Sequence, residues 1–242
     1  MLSEKQNVDF EIKSTQNEIT PKLVVAIDGP AASGKGTLGR KIAERYNLEY
    51  LDTGSLYRAV ALAMVMANGD PECDLDVRAA LNMIGRNITP ELLCSCELRS
   101  PKVSQMSSKV AALPIVREYL LDHQRNFSKN PPPHKNGVVL DGRDIGTVVC
   151  PEADIKLFVT ATPEVRAERR YAELKEKNTD MLLTTVLQDI KTRDERDSQR
   201  EVAPLVIAKD AFVIDTSKLN VTETLDHALD VMRSQMVEAS SE

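Results

Sequence analysis

Gly29, Pro30, Ala31, Ala32, Ser33, Gly34, Lys35, Gly36 and Thr37 have the types and spacing of a loop that binds phosphate. They follow a short apolar, β-branched run, Leu23–Asp28, which suits a fully buried strand. A helical pattern begins at Leu38. Strand, glycine-bounded loop and helix start are the context in which G-x-x-x-x-G-K carries a mechanism. The glycines let backbone N–H groups turn inward toward an anion, and the positive end of the helix dipole points the same way. Lys35 adds a point charge for β- and γ-phosphates. A Gly-rich turn can also be merely structural, but Lys35 and Thr37 together favour the anion site. Gly36 stands where most such loops carry Ser or Thr. It offers no ligand to Mg²⁺, so a metal there would be held more by phosphates and water.

Open parallel sheets place ligands beyond the carboxyl ends of their strands, so a second set of reactive residues belongs there. Asp52-Thr53-Gly54-Ser55-Leu56-Tyr57-Arg58 follows a second short apolar run, and Asp141-Gly142-Arg143-Asp144 follows a third. Each sets an arginine near a strand end, where a guanidinium fork can grip a phosphate through two hydrogen bonds. Each would serve equally as a turn stapled by an ion pair. Farther on, Arg193, Asp197 and Arg200 fall at i, i+4 and i+7 on one helix face. The plain alternative is a solvated face laced with Arg–Asp pairs worth ~0.3–0.5 kcal/mol each. Arg166, Arg169 and Arg170 share a helix face in the same way. An arginine-bearing segment that closes over the phosphates is what in-line phosphoryl transfer needs.

The elements that must position these groups can be read around them. Residues 1–20 are polar and lack a sustained period, and Pro21 follows, which predicts a disordered tail over 1–21. From Lys22 strand and helix patterns alternate: helix 38–46, strand 48–51, helix 56–67, helix 109–127, strand 138–140 and strand 155–160. Pro163 opens the next helix at its first turn, and Asn178-Thr179-Asp180 interrupts it. Helix 184–200, strand 212–214 and a helix over 222–236 capped by Thr222 complete the set. Between Asp70 and Ser107 the alternation fails. Residues 88–90 and 91–98 read there as short strands or loops, so an insert over about 70–107 is expected on the core. The pattern predicts an α/β fold in three layers, with a parallel central sheet, right-handed crossovers and one domain over 22–242.

Charged residues make up 28% and hydrophobic ones 42% of the chain, ordinary for a soluble globular protein. A net charge of −6 argues against a broad nucleic-acid surface. It leaves room for a small anionic ligand, because clustered arginines can dominate the field of a cleft. The longest apolar stretch, 59–67, is too short to span a bilayer, and no N-terminal segment is laid out as a signal peptide. Cys73, Cys94, Cys96 and Cys150 show no disulfide framework, and Cys94-x-Cys96 lacks a second ligand pair. No metal site built from side chains is expected, and a reducing cytoplasm fits best. Nothing marks a self-complementary patch or a membrane partner, so a monomer is the simplest reading.

The motifs GPAASGKGT, LDTGSLYRA, LRSPKVSQMSSKVAALPIVRE, VVLDGRDIGTVV and RDERDSQREVAPLV stand in an order and spacing that resembles bacterial cytidylate kinases, from Lys22 to about Met236. The resemblance implies a P-loop nucleoside monophosphate kinase with a core, a monophosphate-binding insert and a lid over about 171–183. Such an enzyme moves the γ-phosphoryl of ATP, bound with Mg²⁺, onto CMP or dCMP. The resemblance further implies that the loop 29–37 binds ATP and that Arg58, Arg143 and Arg200 hold the acceptor phosphate. By the same token Ser108, Arg117 and Asp144 read cytosine, while Arg193 and Asp197 hold the ribose hydroxyls. Thr53, Arg99 and Asp141 also fall at acceptor-site positions. Arg169 and Arg170 match lid arginines, which makes Lys35, Arg143, Arg169 and Arg170 the catalytic set. The tail, the stretch 92–96 and the connector 131–135 depart from the family pattern.

His123, His134 and His227 lie outside every motif. A phosphate acceptor needs no general base, since the second pKa of a phosphate monoester is ~6. Two other readings keep the loop: a P-loop kinase for another monophosphate such as UMP, and a non-catalytic nucleotide-binding switch. A switch has no need of arginines at other strand ends. A carboxylate such as Asp144 suits the exocyclic amine of cytosine, whereas uracil would set an oxygen against it.

Overall fold

Leu23–Asp28 is apolar on both of its sides, as a strand must be when helices cover both faces of a sheet. It forms β1. The other strands are β2 (Glu49–Asp52), β3 (Gly137–Gly142), β4 (Ile155–Thr160) and β5 (Phe212–Asp215). They make a five-stranded sheet in the order β2-β3-β1-β4-β5, parallel at every pairing. Asp28 is level with Gly142, and Asp52 with Asp141, so the carboxyl ends of three strands meet at one edge. The computed structural model describes residues 22–85, 88–176 and 181–239. The expected tail and the break at 178–180 lie outside these residues.

One face of the sheet is covered by α1 (Lys35–Tyr46) and α9 (Val221–Ala239), where Leu38, Ile42, Ala228 and Met232 pack on Val25, Ile27, Leu157 and Val159. The other face carries α2 (Thr53–Met66) and α6 (Pro114–Lys129), with Leu56, Val60, Met64, Val116 and Leu120 against Ala26, Val138 and Leu140. Full burial of a side chain such as Ile27 or Leu140 contributes about 1.5–3 kcal/mol. A third, smaller cluster joins α7 (Pro163–Glu176) to α8 (Leu183–Gln199) through Ala167, Leu174, Val186 and Ile190.

Four expectations need correction. The first helix starts at Lys35 rather than Leu38, because Gly34 takes a left-handed conformation (φ 92°) and turns the chain into the helix at once. The region read as strands or loops over 88–98 is helical. It holds α4 (Pro90–Cys94) and a 3₁₀ turn over Cys96–Arg99, between α3 (Asp74–Gly85) and α5 (Pro101–Val110). Side-chain caps decide this: Thr89 accepts from Leu92 N at 3.3 Å and Ser100 from Val103 N at 3.4 Å, each just before a proline at the first helical position.

The single helix expected over 109–127 is two, since Pro114 holds Leu113 in an extended conformation and starts α6 afresh. The last helix is capped by Asn220, not Thr222. Asn220 Oδ1 accepts from Thr222 N and Glu223 N, and the Glu223 carboxylate accepts from Asn220 N at 2.8 Å, a reciprocal capping box.

Candidate active site

The loop after β1 is shaped by contacts that exclude side chains. A Cβ on Gly29 (φ +148°) would lie 2.0 Å from the Val159 carbonyl oxygen of β4, so only glycine fits. Ala32 (φ 59°) and Gly34 (φ 92°) are both left-handed, which curls the backbone into an anion nest at the start of α1. Lys35 Nζ donates to Pro30 O at 3.3 Å and stands 3.7 Å from Asp141 Oδ1. Burial, reinforced by the nearby Arg143 charge and only partly offset by Asp141, brings the Lys35 ammonium down to about 8. A desolvated cation beside a nest of N–H groups is matched to a polyanion.

The second set of residues meets the loop in one cavity. Its volume is about 610 Å³, and Ala31 to Thr37, Thr53, Arg58, Arg99, Ser108, Arg117, Asp141, Arg143, Asp144, Arg170, Arg193, Asp197 and Arg200 all line it. Gly29 and Pro30 underlie the loop instead. Arg143 Nε donates to Asp197 Oδ2 at 2.8 Å, and Arg193 Nε lies 3.8 Å from the same oxygen. Burial works against the charge on Arg143, yet Asp197 holds this guanidinium above its ordinary range. Asp197 supports the charge on Arg193 too, but burial together with Arg143 outweighs it and brings Arg193 down to about 9.

Arg58 is 3.6 Å from Asp52 Oδ2, and Thr53 Oγ1 donates to Asp141 O at 2.8 Å. Arg117 donates to Asp144 Oδ2 and to Ala111 O, with its guanidinium 5.5 Å over the Tyr57 ring. Arg200 Nη2 stands 3.7 Å from Asp144 Oδ1.

Several of these donors are buried without a hydrogen-bond partner in the protein: Arg58 Nε, Arg193 Nε, Arg200 Nη2 and the Ser33 hydroxyl. Leaving such groups unmade costs about 1–3 kcal/mol each, and all four residues line the one cavity. A cavity with this lining suits phosphorylated ligands.

The charged helix α7 divides its arginines between roles. Arg170 reaches the cavity and bonds Glu173 at 3.0 Å. Arg169 does not line it. Its guanidinium donates to Thr216 Oγ1, Thr216 O and Ser33 O, fastening the phosphate loop from outside. Arg166 is buried in a two-bond pair with Asp194 and also reaches Ala31 O, tying loop, α7 and α8 together.

The family model for cytidylate kinase matches residues 25–234. The chain belongs to the cytidylate kinase family. A cytidylate kinase of Paramagnetospirillum magneticum is 52% identical over 213 residues, which cover 88% of this chain and 98% of its own. One of Rhodospirillum rubrum is 50% identical over 210 residues, covering 87% and 97%. Among solved structures, an uncharacterized protein from Eubacterium ventriosum aligns with a TM-score of 0.50 and 13% identity over 88% of this chain and 99% of that one. That likeness speaks for the fold alone.

Sequence reasoning passed over three residues of this cytidylate kinase site. Arg196 lines the cavity and donates to the Ser108 hydroxyl at 2.7 Å. It sits three residues after Arg193 on the same helix face, so the helical period carried the signal. Arg40 lines the cavity one turn into α1. Asp28, buried at the end of β1, accepts from Ile145 N and Gly146 N at 2.8 Å each. A carboxylate ending an apolar run was its only mark in the sequence.

Proposed function

We propose that this chain transfers the γ-phosphoryl group of ATP to CMP or dCMP, giving ADP and CDP or dCDP. The observation that carries the reading is one cavity lined both by the loop with Lys35 and by Arg58, Arg143, Arg193 and Arg200 from other elements. The obstacle to joining two nucleotides is repulsion between polyanions, and fixed cations remove it most where charge shifts in the transition state. Lys35 neutralises the donor's β- and γ-phosphates. Arg58, Arg143 and Arg200 hold the acceptor phosphate, whose oxygen is already deprotonated near neutral pH, so no side chain need take a proton.

Mg²⁺, when bound with ATP, supplies further positive charge at the β- and γ-phosphates. Those phosphates and water are its main ligands in this reading, because Gly36 brings no hydroxyl and no cluster of three or more His, Cys, Asp or Glu side chains gathers among the described residues. Arg170 faces the transfer point from α7, and Arg169 acts through the loop it fastens. The insert over about 70–107 brings Arg99, and α5, which crosses its end, brings Ser108 against the base. The lid over about 171–183 closes on the donor and keeps water from acting as acceptor.

The cytosine edge meets Asp144 and Arg117, which are held to one another and to the backbone. Asp144 accepts from the exocyclic amine, and Arg117 donates to a ring acceptor. Uracil would leave that carboxylate facing an oxygen. The chain works as a monomer in the cytoplasm in this reading, and no helix among the described residues is long and apolar enough to cross a membrane.

Steady-state ATP consumption measured with CMP, dCMP, UMP and AMP in turn tests the proposal. CMP and dCMP are expected to be turned over with kcat/KM at least tenfold above UMP. Comparable use of UMP points to a different monophosphate kinase, and ATP binding without any turnover points to a switch.

A further inference from the structure

Gly36, which replaces the usual hydroxyl residue of such loops, faces a side chain that neither the motifs nor the proposed reaction assigns. Tyr50, in β2, donates its hydroxyl to Asp141 Oδ2 at 2.9 Å. The other oxygen of that carboxylate, Oδ1, is the one that stands 3.7 Å from Lys35 Nζ. A Cβ on Gly36 would lie 3.1 Å from Asp141 Oδ2 and 3.4 Å from the Tyr50 hydroxyl. One turn on, a Cβ on Gly39 would meet Tyr50 Cε2 at 2.8 Å. Gly36 and Gly39 are three apart on one face of α1, so together they form the slot that admits this ring. Arg40 closes the slot with its guanidinium 5.5 Å above the ring.

We propose that Tyr50 is a positioning residue for the phosphoryl-transfer centre: by donating to one oxygen of the Asp141 carboxylate its hydroxyl sets the tilt of that group and so directs the other oxygen at Lys35, while the tyrosine hydroxyl and ring fill the space that side chains at Gly36 and Gly39 would need. Asp141 is buried, and a buried carboxylate oxygen without its donor rotates toward any partner it can find. Tyr50 supplies that donor from a neighbouring strand, and its hydroxyl anchors one oxygen of the carboxylate while the other is left toward the lysine. Lys35 is thereby kept between Pro30 O and Asp141 on the cavity side, ready for the donor phosphates. The loop has no hydroxyl at Gly36 because that place is taken by the tyrosine oxygen of another element.

The kinetic arm of the test rests on the function proposed above, and the structural arm does not. In the full chain, Tyr50→Phe is expected to lower kcat about tenfold while KM for ATP and for CMP stays within about twofold. Gly36→Ala crowds the same oxygen pair, so its loss is expected to shrink in the Tyr50→Phe background, where the tyrosine oxygen is gone. A kcat for Tyr50→Phe within twofold of the unaltered chain, or losses that simply multiply in the double variant, would overturn the proposal. The second arm is a crystal structure of the Tyr50→Phe chain, expected to show the plane of the Asp141 carboxylate rotated and neither of its oxygens within 4 Å of Lys35 Nζ. A carboxylate unmoved in that structure overturns it too, whether or not any monophosphate is turned over.

Discussion

Arg143 draws its position from both sides of the cavity: its own carbonyl neighbour Gly142 O at 3.1 Å and Asp197 of α8 at 2.8 Å. In the proposed function it holds the acceptor phosphate, so Arg143→Ala is expected to lower kcat/KM for CMP by roughly 10³-fold or more, with ATP affinity by calorimetry nearly unchanged. An equal loss in both measurements would count against its role. Lys35 makes a prediction about pH. Its ordinary value of 10.5 comes down to about 8 in the ligand-free chain, so the charged form is present below about 8 and is lost as pH rises through it. The kcat/KM for ATP, which reports the free enzyme, should therefore fall above about pH 8. The kcat should hold to higher pH, since a bound triphosphate favours the charged lysine. A kcat/KM profile flat to pH 10 would contradict the assignment. At this scale the sequence was informative about identity: Lys35, Arg58, Arg143, Arg193 and Asp197 all reach one cavity. It was misleading about Arg169, since helix spacing says which face a side chain shares but not what lies opposite.

Among the elements, the turn after β3 depends most on a residue from elsewhere. Residues 143–146 lead into a π-type turn, Ile145–Val149, and Asp28 of β1 ties its first two N–H groups. Burial pushes the Asp28 carboxyl up to about 7 although both backbone bonds pull the other way. Asp28→Asn would set an NH₂ group against one of those N–H donors and shift the turn that carries Arg143 and Asp144. The expected result is a KM for CMP raised about tenfold with the KM for ATP unchanged, and a stability loss of about 1–3 kcal/mol in urea titration. An unchanged KM for CMP would remove Asp28 from the site. Element boundaries were legible wherever proline or a cap spoke clearly, as at Pro163 and β1. They were misread over 88–98 because Thr89-Pro90 and Ser100-Pro101 resemble loop punctuation until the capping bonds are seen. Such a dipeptide is compatible with a turn or with a helix start.

The whole molecule carries a net charge of −6, yet its central cavity gathers Arg40, Arg58, Arg99, Arg117, Arg143, Arg170, Arg193, Arg196 and Arg200 around Lys35. Low-dielectric walls let that local set dominate the field a nucleotide meets. Raising NaCl from about 20 mM to about 300 mM shortens the Debye length from roughly 20 Å to below 10 Å. The kcat/KM for CMP should fall severalfold over that range while kcat changes little, because encounter is screened and the enclosed transfer is not. A kcat/KM indifferent to salt would mean the net charge, rather than the cavity, sets the field. The α7–α8 pair, which brings Arg170, Arg193 and Arg200 to this place, has its own apolar cluster around Leu174 and Ile190.

What the sequence by itself determined were the local facts: a buried β-branched run gives a strand, Pro163 opens a helix at its first turn, and the order of motifs identifies the family. These follow from short-range sterics and period, which a linear string contains. Only the tertiary structure decided that Asp141 stands between Lys35 and Tyr50, which arginines meet the cavity and which brace it, and that a side chain at Gly36 or Gly39 would crowd Tyr50. Those outcomes depend on distances between residues some 90 to 180 positions apart, such as Tyr50 and Asp141 or Ser33 and Thr216. Packing of the sheet and its two helical layers sets such distances, and no spacing along the chain encodes them.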